Sequence, residues 1–163
     1  MTELYRIYQK GDYTAAGVSL REENTGSINI SLPPSSTITN AYLYWMVQEN
    51  EETFSDTGFL NGSPVEGALI ATSRDLCWNR EVTHYFRADV TNYDLRRSNT
   101  VQVEPGGDET LLEGASLVIV YSNPFLPFKT IIINDGGVAL PFDWMGTGPW
   151  SHQFLTILPL FKG

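Results

Sequence analysis

The residues best suited to binding chemistry lie near the C-terminal end, where Phe142, Trp144, Trp150 and His152 gather in and beside the stretch DWMGTGPWSHQF (143–154). Gly146, Gly148 and Pro149 make this stretch a loop. Flat aromatic side chains on a loop stack on sugar rings or fill a partner's pocket; capping one end of a core is the plainer alternative. Carboxylates form two further groups. Asp108 and Glu109 follow Gly106-Gly107, with Glu113 nearby, and Asn134, Asp135 and Asp143 make the second. Hard cations take several oxygens from one loop, so calcium is the only cofactor these groups admit. Neither follows the EF-hand spacing, and solvated turn carboxylates are the plainer reading. No other cofactor is expected.

Nucleophilic catalysis finds little to work with. The two histidines, His84 and His152, are far apart in sequence, and no Gly-x-Ser-x-Gly elbow occurs. The single cysteine, Cys77, excludes an internal disulfide and reads as a small buried hydrophobe, with an intermolecular disulfide as the alternative. Two histidines and one cysteine without paired spacing make no zinc pattern. Lys129, the one lysine placed to donate to an isopeptide crosslink, reads instead as a strand-edge lysine that blocks unwanted pairing. No catalytic residue is expected, and the chain reads as non-enzymatic.

The 163 residues fit one domain, 1–163, with residues 1–13 as an N-terminal arm or edge strand. A chain of this length can bury a sizeable core without metals or disulfides. The formal net charge of −9 repels phosphate backbones and anionic lipid, which argues against nucleic-acid and membrane-surface partners. No apolar stretch is long enough to span a bilayer, so no membrane insertion is expected. Met1 to Lys10 is polar and aromatic, not the basic-then-apolar order of a signal peptide.

The elements that must carry these residues read as strands. Ile28, Ile30 and Leu32 alternate with Asn29 and Ser31 until Pro33-Pro34 ends the run. In 38–47, Ala41, Leu43, Trp45 and Val47 share one face while Tyr42, Tyr44 and Met46 share the other, so the strand is central or its outer face is covered. The run 48–55 reads as an acidic loop with Glu49, Glu51 and Glu52. Asn61-Gly62 predicts a type I′ hairpin turn between 59–60 and 63–65. Further strands are expected at 69–72, 83–90, 100–104, 114–121, 129–133 and 154–161, and a short helical turn at 91–98. Such punctuation without a helix of normal length predicts an all-β fold, a two-sheet antiparallel β-sandwich of jelly-roll type.

Four segments carry a family likeness: GDYTAAGVSLR (11–21), ITNAYLYWMV (38–47), FRADVTNYDLRRSNTVQV (86–103) and GASLVIVYSNPFLPFKTIIINDG (114–136). Together they resemble an uncharacterised β-sandwich domain that recurs in large bacterial and archaeal surface proteins. A weaker, purely architectural likeness is to the jelly-roll pilins of spore appendages. These resemblances imply a non-enzymatic structural module, a self-assembling subunit of a surface, extracellular or spore-type filament. Its partners would be further copies of itself or other surface proteins. Tyr5, Ile7 and Tyr8 in the first thirteen residues are the candidate assembly arm, because a terminal strand can complete a neighbour's sheet edge. The alternative function is a carbohydrate-binding or adhesin domain using Trp144 and Trp150.

Overall fold

The computed structural model describes residues 1–21, 23–75, 79–107 and 110–137. Phe142, Asp143, Trp144, Trp150, His152, Cys77, Asp108, Glu109 and the strand expected at 154–161 lie outside the described residues.

Period-two patterning becomes ten strands: β1 (Thr2–Ser19), β2 (Thr25–Asn29), β3 (Thr37–Glu49), β4 (Thr57–Leu60), β5 (Ser63–Glu66), β6 (Ala68–Arg74), β7 (Val82–Asp89), β8 (Ser98–Val103), β9 (Leu111–Ser122) and β10 (Phe128–Asp135). They build two antiparallel sheets, one of six strands in the order β10-β1-β9-β3-β7-β6 and one of four in the order β2-β8-β4-β5. Within them, β1-β9-β3-β7 faces β2-β8-β4-β5. The chain alternates between the layers in the nested wrap of a jelly roll, with β6 and β10 added at the flanks of the larger sheet. The expected β-sandwich is therefore the fold.

The main core fills the space between the sheets. Leu43, Trp45, Val47, Phe86, Leu117 and Ile119 from the larger sheet meet Ile28, Leu60, Val65, Val101 and Val103 from the smaller. Trp45 stacks on Phe86 with ring centroids 5.7 Å apart. The hairpin turn forms as the Asn-Gly pair requires, with φ of 52° at Asn61 and 81° at Gly62. Asn61 then acts as a hub: its Nδ2 donates to the Asn99 Oδ1 (2.9 Å) while its Oδ1 accepts from the Thr100 backbone N–H (2.9 Å).

Two local expectations need correction. Residues 91–97 form a turn at 91–92 followed by irregular backbone, and Ser98 opens β8, so no helical turn forms. Thr91 N–H donates to the Asp89 carboxylate, and Asn99 Nδ2 donates to the Arg96 carbonyl, so side chains take the backbone bonds a helix would have used. The run 48–55 is not wholly a loop either: β3 extends to Glu49, and Gln48, Glu49 and Ser55 are buried.

Candidate interaction surface

Gly11 sets the geometry of the first strand. Residues 2–10 of β1 pair with β10, from Thr2↔Asp135 to Lys10↔Phe128, while Gly11 to Ser19 pair with β9. At the changeover the backbones come so close that a Cβ on Gly11 would sit 2.1 Å from the Tyr121 carbonyl oxygen. Only glycine admits that approach. Beside it, the Asn123 N–H donates to the Lys10 carbonyl (2.9 Å), and residues 123–127 loop out between β9 and β10.

Beyond this point the β1–β10 ribbon lies over the outer face of the larger sheet. Tyr42, Tyr44, Val118 and Val120, which point away from the main core, pack with Ile131 and Ile133 of β10 and with Leu4, Tyr5 and Ile7 of β1. The direction is fixed by contacts along the strands. Gln9 Nε2 donates to Thr39 Oγ1 (3.4 Å), Tyr5 meets Tyr42 edge to face (6.3 Å), and Arg87 pairs with Asp135 farther along. The two-faced apolar character of β3 is thereby explained: its outer face is covered by a second, smaller core. Burial raises the pKa of the Tyr44 phenol, with the Asp135 charge adding to the effect.

The opposite face of the ribbon is open. Tyr8 is 69% exposed and Phe128 56%, their rings stacked 5.2 Å apart, and Phe125 in the 123–127 loop is 82% exposed. Lys10 Nζ stands 5.6 Å from the centre of the Phe128 ring, within cation–π range. Lys129 pairs with Asp12, and Arg6 with Glu3. Isolated exposed apolar side chains are ordinary, but a stacked pair of exposed rings, with a third exposed ring on the loop that leads into β10, makes this face a candidate interaction site. Aromatic anchors with a charged surround are the composition of binding hot spots.

At the other end of β3 a buried carboxylate organises the loops. Glu49 Oε1 accepts from His84 Nδ1 (2.8 Å) and from the Ser55 N–H (3.2 Å), and its Oε2 accepts from Ser55 Oγ (2.9 Å). The His84 and Glu49 side chains are 4% and 0% exposed. Ser55 Oγ in turn accepts from the Gly106 N–H (2.8 Å), and Trp45 Nε1 donates to the Ser55 carbonyl (2.7 Å). Phe54 stacks on the imidazole at 4.8 Å. A nucleophilic relay needs the hydroxyl bonded to the base. Here serine and histidine both address the carboxylate, which is the arrangement of a clamp tying the 50–56 and 104–107 loops to β3 and β7.

The residues singled out from sequence fall as follows. Tyr5 and Ile7 turn inward into the outer core, and only Tyr8 faces solvent. Their strand segment is paired within the chain over eight registered positions. Asp135 is buried and pairs with Arg87. Glu113 pairs with Arg21 at 3.1 Å. Among the described residues no group of three or more His, Cys, Asp or Glu is placed to hold a metal ion. Sequence reading missed Phe125 and Phe128 as surface residues. The signal was present: Phe125 stands between Pro124 and Pro127, which no ladder can absorb. It also missed the Glu49 clamp, which joins β3, β7 and two loops that only the fold brings together.

No curated protein and no solved structure matches the chain. One family model does, "Protein of unknown function (DUF3344)", over residues 4–155. The match takes in both sheets and the ribbon, and the chain accordingly belongs to the DUF3344 family.

Proposed function

We propose that this chain is a non-enzymatic structural module that joins an extracellular or surface assembly by docking the open face of its β1–β10 ribbon on a protein partner. The observation that carries the reading is the stacked, exposed Tyr8–Phe128 pair, with exposed Phe125 on the loop that leads into β10. Docking by the intact surface is favoured over lending residues 1–13 to a neighbour. Strand exchange would break eleven registered pairs, eight with β10 and three with β9, and uncover Ile131, Ile133, Val118 and Val120. The likeness to surface-protein β-sandwich domains points the same way.

The test is sedimentation velocity with negative-stain electron microscopy on the full chain, beside the triple variant Tyr8→Ser, Phe125→Ser, Phe128→Ser. Concentration-dependent association that the variant abolishes, with its circular dichroism unchanged, supports the reading. A wild-type monomer that instead binds a glycan array would replace it with the carbohydrate-binding function.

A further inference from the structure

We infer that the occupant of the ribbon face is the opposite pole of a second copy of this chain, so that copies join head to tail. This inference rests on the docking function proposed above and adds the identity and polarity of the partner. The two poles are far apart: β3 runs from Thr37, beside the Gly11 bend, to Glu49 at the clamp, about 40 Å at roughly 3.3 Å per residue. They differ in charge. At the bend the ribbon carries Lys10 and Lys129 against Asp12, an excess of one cation in a chain whose net charge is −9. The clamp pole carries Glu51, Glu52, Asp56, Asp75, Glu81 and Glu104 against Arg74 and Arg80.

Both poles also offer aromatic surface. Phe54 is 48% exposed on the acidic pole, its position held by stacking on His84 and by the bonds of the next residue, Ser55, to Glu49. The acidic surface is locally ordered, because the Glu51 N–H donates to Glu81 Oε2 (2.9 Å). Cationic and aromatic surface at one end thus complements acidic and aromatic surface at the other. Opposite charges across an interface steer encounter and fix orientation, while like-charged juxtaposition disfavours the alternative. A two-fold contact of ribbon pole on ribbon pole would set the Lys10 side chains of the two copies against each other. An end-to-end contact between unlike poles leaves one free pole at each end, so it grows as a chain or closes as a ring.

The experiment uses two surface variants of the full chain. The first, Lys10→Glu with Phe125→Ser, disables the ribbon pole. The second, Glu51→Lys with Glu52→Lys, disables the acidic pole. All four side chains are exposed, so both variants are expected to fold, which circular dichroism checks. The expected result is that wild type forms growing oligomers in low salt. Each variant alone stays monomeric, with self-association weakened roughly tenfold or more. An equimolar mixture forms a one-to-one complex that grows no further, since each variant supplies the pole the other lacks.

A mixture that remains monomeric overturns the inference. Normal assembly by the acidic-pole variant, with loss only in the ribbon variant, also overturns it while leaving the docking function standing. Wild type that stays monomeric at high concentration overturns both.

Discussion

Replacing Glu49 by alanine should cost this protein about 3–5 kcal/mol of folding stability, the cost of stranding two or three buried hydrogen-bonding groups. The figure follows from what is left behind. His84 Nδ1, the Ser55 N–H and Ser55 Oγ all lose their acceptor at a site that solvent does not reach. Each buried polar group without a partner costs roughly 1–3 kcal/mol. The serine hydroxyl recovers part of this, since it can turn while still accepting from Gly106. For a domain of this size, 1 kcal/mol moves the melting temperature by about 2–4 °C, so Glu49→Ala should melt roughly 6–20 °C below wild type. Urea unfolding followed by far-UV circular dichroism reads the same loss as a shift in midpoint. Two companions sharpen the test. Glu49→Gln keeps one acceptor oxygen and should lose less than alanine. The pair Glu49→Leu with His84→Phe removes both partners and should regain much of the loss, because replacing both members of a buried hydrogen bond by apolar groups of similar shape is often nearly neutral. A loss below about 1 kcal/mol for Glu49→Ala would refute the reasoning, since the threshold is the low end for even one stranded group.

Gly11→Ala should destabilise by about 1–3 kcal/mol or more, because the new Cβ meets a backbone oxygen that cannot rotate away. Hydrogen exchange should locate the damage in residues 2–10 and 128–135, and unaltered protection there would count against the bend. Tyr44→Phe should be neutral or slightly stabilising, since the buried phenol oxygen has no hydrogen-bond partner among the described residues; a measured loss above about 1 kcal/mol would show that it has one. Stability should also fall at alkaline pH. Burial raises the pKa of Tyr42, Tyr44, Tyr85 and Tyr121 above the ordinary value of 10.0, so the folded chain holds protons that the unfolded chain releases. The contribution is intact below about pH 10 and declines as pH rises beyond it. Urea midpoints between pH 8 and 11 check the sign, and a midpoint that climbs above pH 10 would contradict it.

Patterning made much of the sandwich legible. Alternation in 38–47, the Asn61-Gly62 turn and the continuous apolar run 117–120 each translate into β3, the β4–β5 hairpin and β9, because a strand's side-chain period and a turn's φ values are local properties. The two-faced β3 read as central or as covered on its outer face, and it is both. The first strand was harder. Residues 1–13 read as an arm or edge strand, whereas β1 runs unbroken from Thr2 to Ser19 through Gly11 and Gly17. A glycine in a strand weakens it or permits a close approach, and only the neighbouring backbone decides which. The 91–98 run misled for a related reason: Asp89 and Asn99, which capture its backbone groups, flank the run or lie just beyond it.

By itself, then, the amino-acid order determined an all-β chain, the positions of most strands and the families of residues that line the main core. These depend on contacts within a few residues, which periodicity records. Tertiary structure alone decided the rest. It folded the β1–β10 ribbon across the outer sheet, turned Tyr5 and Ile7 inward and left Tyr8 and Phe128 outward. It drew Glu49, His84 and Ser55 into one clamp, and it separated a cationic, aromatic pole from an acidic one by the length of β3. The physical reason is distance along the chain. Tyr8 and Phe128, or Glu49 and His84, become neighbours only after strand pairing closes long loops, and no local pattern encodes which loops close.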